Sequence, residues 1–155
     1  MAIKNGIPEG YSTITPHLIV KGAAKAIEFY GKAFGAEEIY RLPMPDGTIA
    51  HADLRIGSSL LWLADENPQM GNMAPAGPGS NAASVVLHVA DADKVFARAV
   101  AAGAEVVQPV TEMFWGARFG QLRDPFGHKW SIATQVREVS PAEIVEAMKR
   151  MAQGK

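Results

Sequence analysis

The chain has 155 residues, a formal net charge of −1 and no cysteine. That length suits one domain able to bury its own core, and the balanced charge argues against nucleic acid or an anionic membrane surface as a partner. The absence of thiols excludes disulfides, thiolate nucleophiles and cysteine-based zinc or iron–sulfur sites. The opening "MAIKNGIPEGYS" carries no apolar stretch of signal length, and no run approaches a membrane span. A soluble, cytoplasmic protein is expected.

Alternation and β-branched content predict a first strand over Thr13–Val20. An amphipathic helix follows, its stripe of Ala26, Ile27, Tyr30 and Phe34 at the three-and-four spacing of a buried face, ending at Gly35. Strands are predicted over Glu38–Met44, Ile49–Ile56 and Leu60–Ala64, the first two joined by the turn "PDG". Next comes "ENPQMGNMAPAGPGSNAA", dense in Gly, Pro and Asn, which reads as a linker over 67–82. A strand over Ser84–Val89 leads to a second helix with stripe Val95, Phe96, Ala99 and Val100, closed by Gly103. Strands at Val106–Val110, Phe119–Arg123 and Trp130–Val136 follow, the last two joined by "DPFG". The tail is a helix over 140–153, with Ser140 as N-cap, Pro141 in the first turn and Glu143 completing a capping box. Its stripe of Ile144, Val145, Met148 and Met151 needs cover, from a second subunit or from the outside of the sheet.

The chain repeats itself. "VKGAAKAIEFYGKAFGAEEIY" from Val20 parallels "VADADKVFARAVAAGAEVVQP" from Val89, and "LRIGSSLLWLA" at Leu54 parallels "LRDPFGHKWSIA" at Leu122. The near-constant offset indicates a tandem duplication within a single domain, with module one at 11–66 and module two at 83–136. The fold class is α+β: two tandem βαβββ modules followed by a C-terminal helix.

Strand alternation sorts the side chains into two faces. Ala52, Leu54 and Ile56 should meet a helix, leaving His51, Asp53 and Arg55 on the other side. The same rule places Thr15 with His17, Leu60 with Trp62, Ser84 with Val86 and His88, Gln121 with Arg123, and Ser131 with Gln135. Polar groups mixed with Trp62, Leu60, Val86 and Ile19 suit a semi-enclosed pocket better than open water. Trp62 and Trp115 can stack on a planar ligand, whereas Trp130 faces the helices and belongs to the core. Arg55 and Arg123 occupy matching positions and form a candidate clamp for a carboxylate or phosphonate, against the plainer reading of ion-paired strand arginines. His17, His51 and His88 share the inward face, and with Asp53 they are the candidates for a relocated metal site; lone strand histidines more often serve as hydrogen-bonded wall residues. His128, in a turn, is expected to be exposed, and Asp124 to cap local backbone N–H groups. No nucleophile elbow, phosphate loop or dinucleotide fingerprint is present.

The duplicated unit, with "AIEFYGKAFGAE" after the first strand and "DPFGHKW" before the last, resembles the vicinal oxygen chelate superfamily of glyoxalases, bleomycin resistance proteins and dioxygenases. "MFWGARFGQLRDPFGHKWSIAT" is similar to the subgroup associated with phosphonate operons. The resemblance implies a cup-shaped mixed sheet with helices outside, commonly completed in a homodimer. Metal-dependent members carry ligands on the first and last strand of each module. Carried over, those positions fall on Thr15, Trp62, Ser84 and Ser131. None supplies a normal N or O ligand for a divalent metal, so no metal or other cofactor is expected. The expected function is a metal-free protein that binds, and sequesters, an aromatic or hydrophobic small molecule. The alternatives are a glyoxalase- or dioxygenase-like enzyme with a displaced metal site and an oligomeric scaffold.

Overall fold

Residues 2–154 are described by a computed structural model. The chain opens with a short hairpin, β1 (Ile3–Lys4) and β2 (Ile7–Pro8), that the strand reading overlooked. Its turn is Asn5-Gly6, both with positive φ, at 53° and 78°. That pair of left-handed residues matches the right-handed twist of a two-residue hairpin, and Asn-Gly tolerates it best. The signal was legible in "IKNGIP".

Module one then runs β3 (His17–Val20), α1 (Ala23–Phe34), β4 (Glu37–Pro43), β5 (Ile49–Ile56) and β6 (Ser59–Asp65). Its strands form one sheet in the order β3-β6-β5-β4, with β3 parallel to β6 and the remaining pairs antiparallel. After a loop containing a 3-10 turn at Pro68–Met70, module two repeats the pattern with β7 (Val85–His88), α2 (Ala92–Ala102), β8 (Glu105–Glu112), β9 (Ala117–Arg123) and β10 (Lys129–Gln135). Its sheet order, β7-β10-β9-β8, is the same order again. Helix α3 (Pro141–Ala152) closes the described chain, with the expected capping box of Ser140 and Glu143 in place. The first predicted strand is shorter than expected. Thr13–Pro16 is not strand, and it lines a cavity described below.

Equivalent positions fasten each helix to its own sheet. Helix α1 begins at Gly22, which has no side chain to cap the free N–H groups. Asp65, at the end of β6, supplies the acceptor: its Oδ1 takes the N–H of Gly22 and of Ala23, each at 2.9 Å, and its Oδ2 takes Ile49 N–H at 2.7 Å. In module two Thr134 stands at the corresponding place on β10. Its Oγ1 accepts from Ala92 N–H at 2.8 Å and donates to the Val89 carbonyl at 2.7 Å.

One core spans both modules. All four predicted stripe residues of α1 are buried, and Tyr30 and Phe34 reach across to Trp130 on β10, with ring centroids 5.3 and 4.6 Å apart. In α2 the stripe is turned relative to expectation. Ala92 and Ala99 are the buried positions, Val95 and Phe96 pack against the core from its margin, and Val100 is 38% exposed. Phe96 lies against Gly120, where an added Cβ would stand 2.8 Å from its ring. On the apolar stripe of α3, Ile144 is partly covered, while Val145, Met148 and Met151 are all more than half exposed.

Asp124 joins the modules. It caps its own turn as expected, Oδ1 accepting from the N–H of Phe126 and His128 at 2.9 and 3.0 Å. It is also buried, and Oδ2 accepts from Tyr30 Oη–H at 2.6 Å and Trp130 Nε1–H at 2.8 Å. Burial, and then the Asp124 carboxylate, pushes the Tyr30 phenol well above its ordinary range, so it remains a donor. His128 is not exposed as expected. It is half-buried, its Nε2 2.8 Å from the Ile19 carbonyl and its Nδ1 3.3 Å from Asn81 Nδ2, a second tie between the halves. Tyr30→Phe removes one donor from a buried carboxylate and should cost about 1.5–3 kcal/mol in urea unfolding. Asp124→Ala strands two buried side-chain donors and two backbone N–H groups, and should cost about 3 kcal/mol or more. Equal, near-zero effects would show that this contact does not hold the modules together.

Candidate functional site

On the face of the first sheet that turns away from α1 lies a cavity of about 390 Å³. Three segments build it. Gly6–Pro8 of the hairpin form one wall, Tyr11–Thr13 and Thr15 form another, and the sheet supplies His51, Asp53 and Trp62. Alternation explains the sheet side chains: Ala52, Leu54, Leu61 and Leu63 are buried in the core, so their neighbours point the opposite way. Trp62 is left 39% exposed, an unusual cost for an indole unless something covers it.

The indole is held from several sides. Its Nε1–H donates to Tyr11 Oη at 3.1 Å. The rings of Tyr11, His17 and His51 stand at 69°, 84° and 81° to it, with centroids 6.4, 5.8 and 5.1 Å away. His51 Nε2 lies 2.9 Å from Asp53 Oδ1. Burial raises the pKa of Tyr11, and the nearby Asp53 raises it further. His17 is shifted the other way, lowered first by burial and then by the like charge of His51.

The structure thus brings together Thr15, His17, His51, Asp53 and Trp62 from the expected set. The others stand elsewhere. Ser84 lines a groove of about 420 Å³ between β3 and the start of β7, which His17 and His128 also border. His88 lines a cleft between β7 and the β5–β6 turn. Ser131 is buried on β10, its Oγ 3.3 Å from Gln121 Nε2. Trp115 packs edge-on against Phe114 and Phe119. The arginine clamp is not assembled within the chain: Arg55 is paired with Glu37 at 3.1 Å, Arg123 belongs to the other sheet, and neither lines the cavity.

The three-histidine metal site is likewise not assembled. His17 and His51 flank Trp62, but His88 is on the other sheet, and among the described residues no three His, Asp or Glu side chains are placed to hold a metal ion. Of the four family ligand positions, the cavity holds only Thr15 and Trp62. A neutral hydroxyl and an indole do not fit a divalent cation. Sequence reasoning missed Tyr11 and the hairpin wall, because the N-terminal segment was read only for targeting signals.

Residues 12–132 match the model of the Glyoxalase/Bleomycin resistance protein/Dioxygenase superfamily. The Mycobacterium bovis protein Mb0911c is 45% identical over 144 residues, spanning 91% of this chain and 95% of that one. Among solved structures, TioX from Micromonospora sp. ML1 superposes with a TM-score of 0.65 at 30% identity, over 81% of this chain and 99% of TioX. The PhnB protein from Bacillus cereus shares the fold, with a TM-score of 0.58 at 21% identity, over 79% of this chain and 99% of that one.

The arrangement around Trp62 sets a titration order that proton NMR can read. His17 should titrate below the ordinary imidazole range. His51→Gln should move its midpoint only part of the way up, since burial, the larger cause, remains. The sign follows for stability: a depressed imidazole contributes above its unfolded pKa, and that contribution is lost as pH falls through the folded value. A His17 midpoint at or above the ordinary value would contradict this packing.

Proposed function

Because the chain belongs to the glyoxalase/bleomycin resistance/dioxygenase superfamily, whose fold alone fixes no chemistry, we propose from its cavity that it is a small-molecule-binding protein working without a metal. The ligand is a planar aromatic or apolar compound, and sequestering it is the function. One observation carries the reading: Trp62, a family ligand position, presents an indole to the cavity, steadied by Tyr11 and flanked by two imidazoles. Such a floor offers area and ring faces rather than metal donors. Each 100 Å² of apolar ligand surface buried there contributes roughly 2.5 kcal/mol before association costs.

The enzymatic reading has its own support in the His51–Asp53 pair, which places a potential proton acceptor beside the cavity. Two donors do not make a metal site, so that reading needs a ligand from outside the chain. The reading proposed here also includes a homodimer. The exposed stripe of α3 and the edge strands β4 and β8 offer apolar surface and sheet edges that a second copy can cover.

In a thermal-shift screen of aromatic compounds, hits should lose affinity by about tenfold or more in Trp62→Ala, a change of about 1.4 kcal/mol, with the circular dichroism spectrum unchanged. Binding indifferent to Trp62 would place the site elsewhere. Elemental analysis should find far less than one transition metal per chain. Stoichiometric metal lost in His51→Ala would favour the enzyme. Light scattering should report a dimer, and Val145→Asp with Met148→Asp should shift it toward monomer; an unaltered dimer would exclude α3 from the interface.

A further inference from the structure

We infer that the cavity on the first sheet takes an organic cation: a protonated or quaternary amine carried on an aromatic frame. This rests on the binding function proposed above and specifies the charge of the ligand. The argument begins with what the cavity lacks. Neither lysine nor arginine is among its lining residues, and the cationic groups on the neighbouring strands are engaged outside it, Arg55 by Glu37 and Arg41 by Glu38. A carboxylate or phosphonate entering here would meet no lysine or arginine among the described residues. It would instead meet Asp53, four-fifths buried on the cavity wall.

Among the described residues the one ion-pair partner of Asp53 is His51, whose Nε2 lies 2.9 Å from Oδ1, and a hydrogen bond donated by a neutral imidazole leaves the carboxylate charge in place. Burial, and then Asp53, raises the Tyr11 pKa and keeps that phenol from ionising. A partly desolvated carboxylate with no lysine or arginine beside it favours a cation over an anion.

The aromatic groups select for the same charge. Tyr11, His17 and His51 stand at 69°, 84° and 81° to Trp62, so none of them lies parallel to the indole face. The quadrupole of that face attracts an ammonium group, and tryptophan gives the strongest such attraction among the side chains. Indole face and carboxylate line one cavity, so a cationic aromatic can satisfy both at once. A neutral aromatic uses only the first.

Isothermal titration with three probes of similar size, at mildly alkaline pH, tests this: N-methylquinolinium, neutral quinoline and anionic 1-naphthoate. The cation should bind about tenfold or more tighter than quinoline, and 1-naphthoate most weakly. In Asp53→Asn the ratio of cation to quinoline affinity should fall toward one; in Trp62→Ala all binding should weaken. If quinoline or 1-naphthoate binds as tightly as the cation and still depends on Trp62, the cation inference falls and the binding reading stands. If none of the three binds, or binding ignores Trp62→Ala, both fall. The wild-type comparison needs no variant, so a misfolded Asp53→Asn protein would not leave the question open.

Discussion

The structure depends most on one buried carboxylate. Asp124 closes the β9–β10 turn through two backbone N–H groups and, with its other oxygen, holds a phenol from α1 and an indole from β10. An acceptor with two oxygens can serve four donors, and here the four serve three demands of the fold. The turn sets the register of β10, Trp130 sets the floor of the shared core, and Tyr30 brings module one onto it. Removing the carboxylate would affect turn, core and module contact together. That is why a residue first legible as an ordinary turn cap proves to be the junction of the two halves.

Fixing module one in this way also fixes the site, since the strand that supplies the core supplies the cavity. On β6, Leu61 and Leu63 are buried while Trp62 between them faces out, and on β5 Ala52 and Leu54 alternate with His51 and Asp53. Slipping either strand by one residue would exchange core and cavity outright. The duplicated half obeys the same alternation with a different result. Ser131, equivalent to Trp62, is buried and bonded to Gln121. Yet the helix-fastening place stays polar in both halves, as Asp65 and Thr134. The two modules therefore keep a common scaffold while differing at the position that is Trp62 in one and Ser131 in the other.

Much of this was legible in the sequence because periodicity and repetition are local properties. The order of both modules, the capping box at Ser140, the stripe of α1 and the outward turn of Trp62, His51 and Asp53 all follow from spacing alone. What was not legible depends on contacts between distant segments. The partners of Asp124 are 94 residues away in one case and six in another, and no pattern announces the first. His128 was read as an exposed turn residue because its acceptor, the Ile19 carbonyl, belongs to the other module. Alternation told which side chains share a face, but not that His88 and Arg123 lie on a separate sheet from Trp62. The rotation of the α2 stripe toward Ala92 and Ala99 likewise reflects the helix beside it, not its own sequence.

The N-terminal hairpin walls the cavity with little structure of its own. Its strands are two residues each, too short to be stable on their own, and they are tied down through Glu9 N–H to the Ala2 carbonyl and through the Tyr11–Trp62 hydrogen bond. Segments of that size belong to the loop class of motion, nanoseconds to microseconds, whereas β5 and β6 are anchored by side chains in the core. The phenol that accepts the indole N–H follows directly on the hairpin, so one hydrogen bond at Tyr11 ties the mobile class of wall to the rigid class of floor.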